Sequence, residues 1–294
     1  MSYEIYLDAR SGRVDQRRLF VFLNRRRNYT VIENEARYLN KETGVDFGIE
    51  FIGYTKESKD LGGPICFEIN YFRPSFFALE ADLELSDLVE MFDLVVVDSQ
   101  IEGMGEGDYD SAGFLRGWRY GNRLAHAQVI ERTGRANHFT LPTAKLERAW
   151  RWNYERPRLQ QQAGDQLYVP DIMVLDLNGH AVTAVPWKDG LPFRTPPADY
   201  LLAIRERLKP RLFGFSPRDQ RLVPWQQAAP LLADHGEALE DGSIQTRYDQ
   251  PPKPVIDFVR RLKPSDNPRA RIPLGEVMDE ELILGQFTVE REAG

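Results

Sequence analysis

The sequence predicts an α+β fold, mainly antiparallel sheet with flanking helices, in two closely packed domains. Three observations predict it. A length of 294 residues matches two domains of ordinary size, each able to bury a core. From 46 to 85 and from 166 to 187, apolar and polar side chains alternate with the period of a half-buried strand, between short turn signals. Stretches of helical period flank these runs. The domains read as 1–138 and 139–294, with Trp150, Trp152 and Tyr154 continuing an aromatic pattern past the boundary and predicting an extensive interface.

Tyr3-Glu4-Ile5-Tyr6-Leu7 alternates as a first strand, and a helix follows from about Asp15, whose carboxylate suits the free amides of a first turn. That helix turns Leu19, Phe20 and Leu23 inward and gathers Arg25, Arg26 and Arg27 at its end, where cations meet the negative end of the helix dipole. Asp46–Tyr54, Ile65–Phe72 and Phe76–Leu85 read as three antiparallel strands, turned at Gly62-Gly63-Pro64 and Arg73-Pro74-Ser75. A helix from Ser86 would bury Leu88, Val89 and Phe92, and the continuous apolar run Leu94 to Val97 reads as a central strand covered on both faces. Ala112 to Thr133 carries Phe114, Leu115, Trp118, Leu124, Ala125 and Val129 as a helix stopped by Gly134.

In the second half, Gln166–Leu177 and Ala181–Trp187 flank Asn178-Gly179, the strongest short-range hairpin signal. Helices are read over Asp199–Leu208 behind Pro196-Pro197, over Pro224–Asp234 and over Pro254–Leu262, with 240–254 and 264–275 as loops.

A net charge of −7 and a pI near 5.3 disfavour nucleic-acid binding, which needs surplus exposed cations, and suit a basic partner. One cysteine, Cys66, excludes an internal disulfide and any Cys-x-x-Cys metal site. The N-terminus lacks the basic and apolar regions of a signal peptide, and no apolar run approaches the ~20 residues that span a bilayer, so no membrane partner is expected. The expected location is cytoplasmic.

Between Glu80 and Asp110 stand 11 acids and no Lys or Arg. Strand parity places Asp46, Glu50, Glu68, Glu80, Asp82 and Glu84 opposite the apolar face, as an acidic sheet face. Like charges directly across strands repel, so such a face needs solvent, cationic cover or a ligand. Three readings compete: a solvated face or one covered by the arginines of the first helix, a docking surface for a basic protein, or a divalent-metal site using carboxylates such as Asp98, Asp108 and Asp110. On the docking reading Glu80, Asp82, Asp98, Glu102, Glu106, Asp108 and Asp110 supply charge steering and pairing.

Gly103-x-Gly105-x-Gly107 resembles a phosphate cradle in spacing, but Glu106 within it would repel phosphate, and it reads as a flexible loop. From Arg116 to Arg158 the sign reverses, with 10 cations against three acids, and these arginines are expected to pair within the fold. His126, His138, His180 and His235 lack metal-ligand spacing, no nucleophile motif is present, and no catalytic residue, metal ligand or cofactor site is nominated.

The run Cys66-Phe67-Glu68-Ile69-Asn70-Tyr71-Phe72-Arg73-Pro74, then Phe77-Ala78-Leu79-Glu80-Ala81, Val96-Val97-Asp98-Ser99-Gln100, Trp118 and Gly121-Asn122, resembles immunity proteins of bacterial polymorphic-toxin and secretion-delivered toxin systems over residues 45–125. The resemblance implies a cytoplasmic acidic protein that occludes a basic toxin domain, and it assigns no specific inhibitory residue. The alternative expectation is a carboxylate-based divalent-metal-dependent hydrolase built from the same acids.

Overall fold

In the computed structural model, which describes residues 1–133, 138–208, 219–263 and 270–282, the period-two runs become strands with two exceptions, one being Gln166–Leu177, of which only Met173–Leu177 is strand. The stop at Gly134 and the loop reading of 264–269 lie outside the described residues. The architecture is α+β with mainly antiparallel sheet. Two compact units divide it: Met1–His138 together with the chain from Gly275, and Phe139–Leu274. The second unit is therefore an insertion in the first, and does not run to 294.

The first unit holds β1 (Ser2–Ala9), α1 (Gln16–Arg25), β2 (Tyr29–Ile32), β3 (Glu35–Leu39), β4 (Asp46–Phe51), α2 (Lys56–Leu61), β5 (Ile65–Asn70), α3 (Phe76–Phe92), β6 (Leu94–Asp98), β7 (Gly105–Gly107) and α4 (Ser111–Thr133). Its seven strands form one antiparallel sheet in the order β2-β3-β4-β5-β1-β6-β7. Tyr3, Ile5 and Leu7 of β1, Phe47 and Ile49 of β4, and Ile65, Phe67 and Ile69 of β5 are buried on one face, where Phe114 of α4 meets the rings of Tyr3 and Phe67 at 5.5 and 5.9 Å. Asp15 caps α1 by accepting from Arg18 N at 3.0 Å, and Leu19, Phe20 and Leu23 are buried as expected.

The other exception is Phe76–Leu85, a strand on parity, which is the first part of α3. Its buried residues Phe77, Ala81, Glu84, Leu85 and Leu88 follow the helical period, while Leu83 is exposed. Leu, Glu, Ala and Met favour a helix, and Phe77, Ala81 and Leu85 satisfy both periods. β6 is also corrected: its burial alternates, so one face of it is packed and not both.

Asp279, in the short strand β17 (Met278–Asp279), lies in the returning segment and accepts from Ser75 N at 2.7 Å and Ser75 Oγ at 2.5 Å, capping the start of α3 from more than 200 residues away.

The second unit contains β8 (Thr140–Leu141), α5 (Thr143–Ala163), β9 (Met173–Leu177), β10 (His180–Lys188), β11 (Arg194–Thr195), β12 (Tyr200–Arg205), β13 (Asp219–Pro224), α6 (Trp225–Asp234), β14 (Gly236–Ala238), β15 (Ile244–Thr246), α7 (Lys253–Arg261) and β16 (Arg271–Ile272). The expected hairpin is β9–β10, and both turn residues adopt positive φ, Asn178 at 57° and Gly179 at 87°, as a primed turn requires. The helix expected over Asp199–Leu208 is instead β12, held parallel to β10 and antiparallel to β13. An apolar run of this length suits a doubly covered strand or a buried helix equally, and the neighbouring strands decide. Part of the expected loop 240–254 is β15.

Arg205, at the end of β12, is buried and bridged to Asp219, while its Nη1 donates to the carbonyls of Val259, Arg260 and Leu262 at the C-terminal end of α7. Arg205→Met is expected to lower stability by about 3–5 kcal/mol, because Asp219 and three helix-end carbonyls lose a buried partner. Urea unfolding measures it, and a loss below about 1 kcal/mol would show that water replaces the guanidinium.

Candidate partner-binding surface

The acidic block does not form one surface. Glu80 is fully buried on α3 and accepts from Tyr38 Oη at 2.7 Å and Asn40 Nδ2 at 2.8 Å, so its place on a sheet face is overturned by the helix. Glu84, also on α3, meets Arg26 at 2.9 Å, and Arg26 bridges Asp87 as well, so α1 supplies the cationic cover that its arginines suggested. Burial raises the Glu84 carboxyl's pKa, with Arg26 opposing. Asp82 accepts from Tyr109 Oη at 2.7 Å.

Asp98 closes β6 and is 4% exposed. Its carboxylate accepts from Tyr3 Oη at 2.5 Å, Gln100 N at 3.0 Å and Met104 N at 2.8 Å, which ties the loop after β6 to the sheet. Burial first, then the hydrogen bond and charge of Asp98, hold the Tyr3 phenol far above its ordinary pKa. This junction explains Gly103 and Gly117. A Cβ on Gly103 would lie 2.2 Å from Asp98 Oδ2, and one on Gly117 would lie 2.6 Å from Tyr3 Oη and 2.9 Å from Gly103 Cα. Within the Gly-rich stretch Gly103 is thus required by close packing, Gly105 and Gly107 by their positive φ of 75° and 145°, and the stretch ends in the edge strand β7 rather than in a free loop.

The remaining block residues are exposed. Glu102 adopts a φ of 67° at the loop's tip. Asp108 pairs with Arg10 at 2.5 Å, and Arg10 also meets Asp93 at 3.0 Å. Asp110 accepts from Gly113 N at 2.9 Å and caps α4. Arg116, the first of the downstream arginines, donates to the backbone carbonyls of Glu102 and Gly103 and not to a carboxylate of the block.

An acidic sheet face does exist, on β4 and β5 as parity predicts and on β1, β3 and β7 with them. Opposite the core, residues paired across six adjacent strands form one row: Glu35, Glu50, Cys66, Tyr6, Val97 and Glu106. A second row sets Glu4 directly across from Glu68. Glu50, Glu68 and Glu106 are exposed, whereas Glu4, Tyr6, Cys66 and Val97 are half-buried. β1, β4 and β5 carry no Lys or Arg, and like-charged partners Glu35–Glu50 and Glu4–Glu68 each cost a few tenths to about 1 kcal/mol. Glu50 accepts from Asn34 Nδ2, and Glu35 from Arg37. Burial, then the Glu4 charge, pushes the Cys66 thiol up to about 11, and burial with Cys66 and Glu4 pushes the Tyr6 phenol up to about 12. Beside Val97, a groove of about 570 Å³ opens among Asp8, Tyr54, Lys59 and Glu106. Asp46, Glu50 and Glu68 were legible from parity; Glu4, Glu35 and Glu106 needed the strand order.

Among the described residues, no three His, Cys, Asp or Glu side chains are grouped to hold a metal ion, and Asp98, Asp108 and Asp110 each serve a different local contact. No helix among them is long and apolar enough to cross a membrane. His126 is buried on α4 with neither ring nitrogen hydrogen-bonded, packed edge-on against Phe72 at 5.6 Å. No family model, curated protein or solved structure matches this chain.

Two predictions test these assignments. Asp98→Ala, which strands Tyr3 Oη and two amides, should cost about 2–4 kcal/mol and speed amide exchange at Gln100 and Met104; unchanged exchange there would mean that the loop holds itself. Burial, then His138, lowers the His126 pKa from 6.5 to about 4. The unfolded chain therefore takes the proton first, so this contribution is full above pH 6.5 and declines toward pH 4, by roughly 3 kcal/mol at most. His126→Phe should flatten that decline in urea titrations at pH 7 and 4.5, and an equal slope in both proteins would assign it elsewhere.

Proposed function

We propose that this protein is a binding module that neutralises a basic toxin domain by covering it, and that it docks through the open face of the seven-stranded sheet. The observation that carries the reading is the cross-strand row from Glu35 to Glu106. Carboxylates stand at both ends, about 19 Å apart from Glu50 to Glu106 at the usual strand spacing, and a half-buried centre of Cys66, Tyr6 and Val97 lies between them. That is the anatomy of an interface with an apolar middle and a charged rim. Arg37 on β3 already offsets Glu35, whereas β1, β4 and β5 supply no cation for Glu4, Glu50 or Glu68, and a cationic partner relieves their repulsion. Glu102, Glu106, Asp108 and Asp110 extend the negative field along the β7 edge and steer approach. Asp98 and Glu80, buried and engaged, act as framework for that surface.

The test is co-expression with toxin domains encoded beside this chain's gene. The wild-type chain should restore growth and form a complex whose association slows with salt. Glu50→Gln, Glu68→Gln and Glu106→Gln together should cut the low-salt association rate about tenfold, and Tyr6→Ala should shorten complex lifetime. Cys66 supplies a footprint, because its slow alkylation at high pH should stop in the complex. Protection absent from Cys66 in a growth-protecting complex would move the interface elsewhere, and failure of all neighbouring toxins to bind would end the toxin reading.

A further inference from the structure

We infer that the second unit carries a site for a small amphipathic carboxylate, in a cleft along α5. This site is independent of the sheet face of the first unit.

The cleft holds about 500 Å³, the size of a site for a small organic ligand. One stripe of α5 lines it together with Pro196-Pro197 and Asp241-Gly242. Trp152 and Leu159, two turns apart, are buried members of the unit's core that also line the cleft. Trp152 is fixed, because its Nε1 donates to Pro170 O at 2.7 Å. The apolar surface is therefore rigid and built before any ligand arrives, which lowers the ordering cost of binding.

Charge selects the ligand. The cleft's acids are mostly engaged: Glu155 meets Arg158 at 2.5 Å, and Asp241 meets Arg194 at 2.6 Å and Ser243 Oγ at 2.6 Å. Arg148 and Arg151, one turn apart at the cleft, are exposed and make no hydrogen bond or ion pair among the described residues. Glu147 is the one lining acid left without such a partner. Two guanidinium groups against one carboxylate leave a net positive field over a Trp, Leu and Pro surface. A planar carboxylate matches the guanidinium fork, and its apolar body matches that surface. Such a group comes either from a free organic acid or from the C-terminus of a chain ending in an apolar residue.

The probes are 4-phenylbutyrate for the free acid and acetyl-Pro-Phe for the chain end, each with its neutral carboxamide, titrated into the full chain by calorimetry and by NMR of the indole N–H groups. At least one carboxylate should bind at least tenfold more tightly than its amide and shift the Trp152 resonance, and the tighter of the two names the source. Arg148→Gln with Arg151→Gln, surface changes that should leave the melting temperature unmoved, should abolish that preference. Equal binding of acid and amide, no response at Trp152, or an unaltered preference in the double variant would overturn the site.

Discussion

The buried carboxylate of Asp98 is the contact on which the first unit's architecture turns. It joins the end of β6 to Tyr3 on β1 and, through two amides, to the loop that leads into β7. Helix α4 comes close enough to seal this junction because Gly117 has no side chain to strike Tyr3. A charged group without these donors would be a large burden in the core; with three of them it becomes an anchor for a loop whose outer side chains are free to vary. Gln100, Met104 and Gly103 define that loop from within, whereas Glu102, Glu106 and Asp108 face outward.

Strand β1 serves both sides of the sheet. Its odd residues Tyr3, Ile5 and Leu7 complete the core, and its even residues Glu4, Tyr6 and Asp8 belong to the open face. The two like-charged pairs on that face together cost about 1–2 kcal/mol, tolerable against the 5–15 kcal/mol of an ordinary domain. The cost is bearable because the opposite face is densely packed with aromatic rings, among them Tyr38 stacked on Phe47 at 4.5 Å. Stability is concentrated on one side of the sheet, and charge on the other.

Local chemistry made much of this legible. The Asp15 cap, the Asn178-Gly179 hairpin, the helix over 111–133 and the inward parity of β4 and β5 all follow from neighbours in sequence. Phe76–Leu85 and Tyr200–Arg205 were misread because short apolar runs satisfy two periods, and only tertiary partners choose between them. The same limit governed the site. Eleven acids in one stretch stood out, yet burial by Tyr38, Asn40 and Tyr3 withdrew Glu80 and Asp98 from the surface. The face that remains is assembled from six strands, and its row is a property of register, which no single segment encodes.

The contact between Ser75 and Asp279 has a consequence for how the molecule is made. The 138 residues that begin the first unit leave the ribosome early, but the carboxylate that caps α3 follows only after the whole stretch from 139 to 274. At the usual pace of translation that interval is on the order of ten seconds. Throughout it, the start of α3 lacks its cap and the Phe77 ring lacks the Gly275 backbone that later lies against it. The nascent first unit waits, incomplete, while a whole second unit is synthesised, and its final closure reports that the chain has been made through to residue 279.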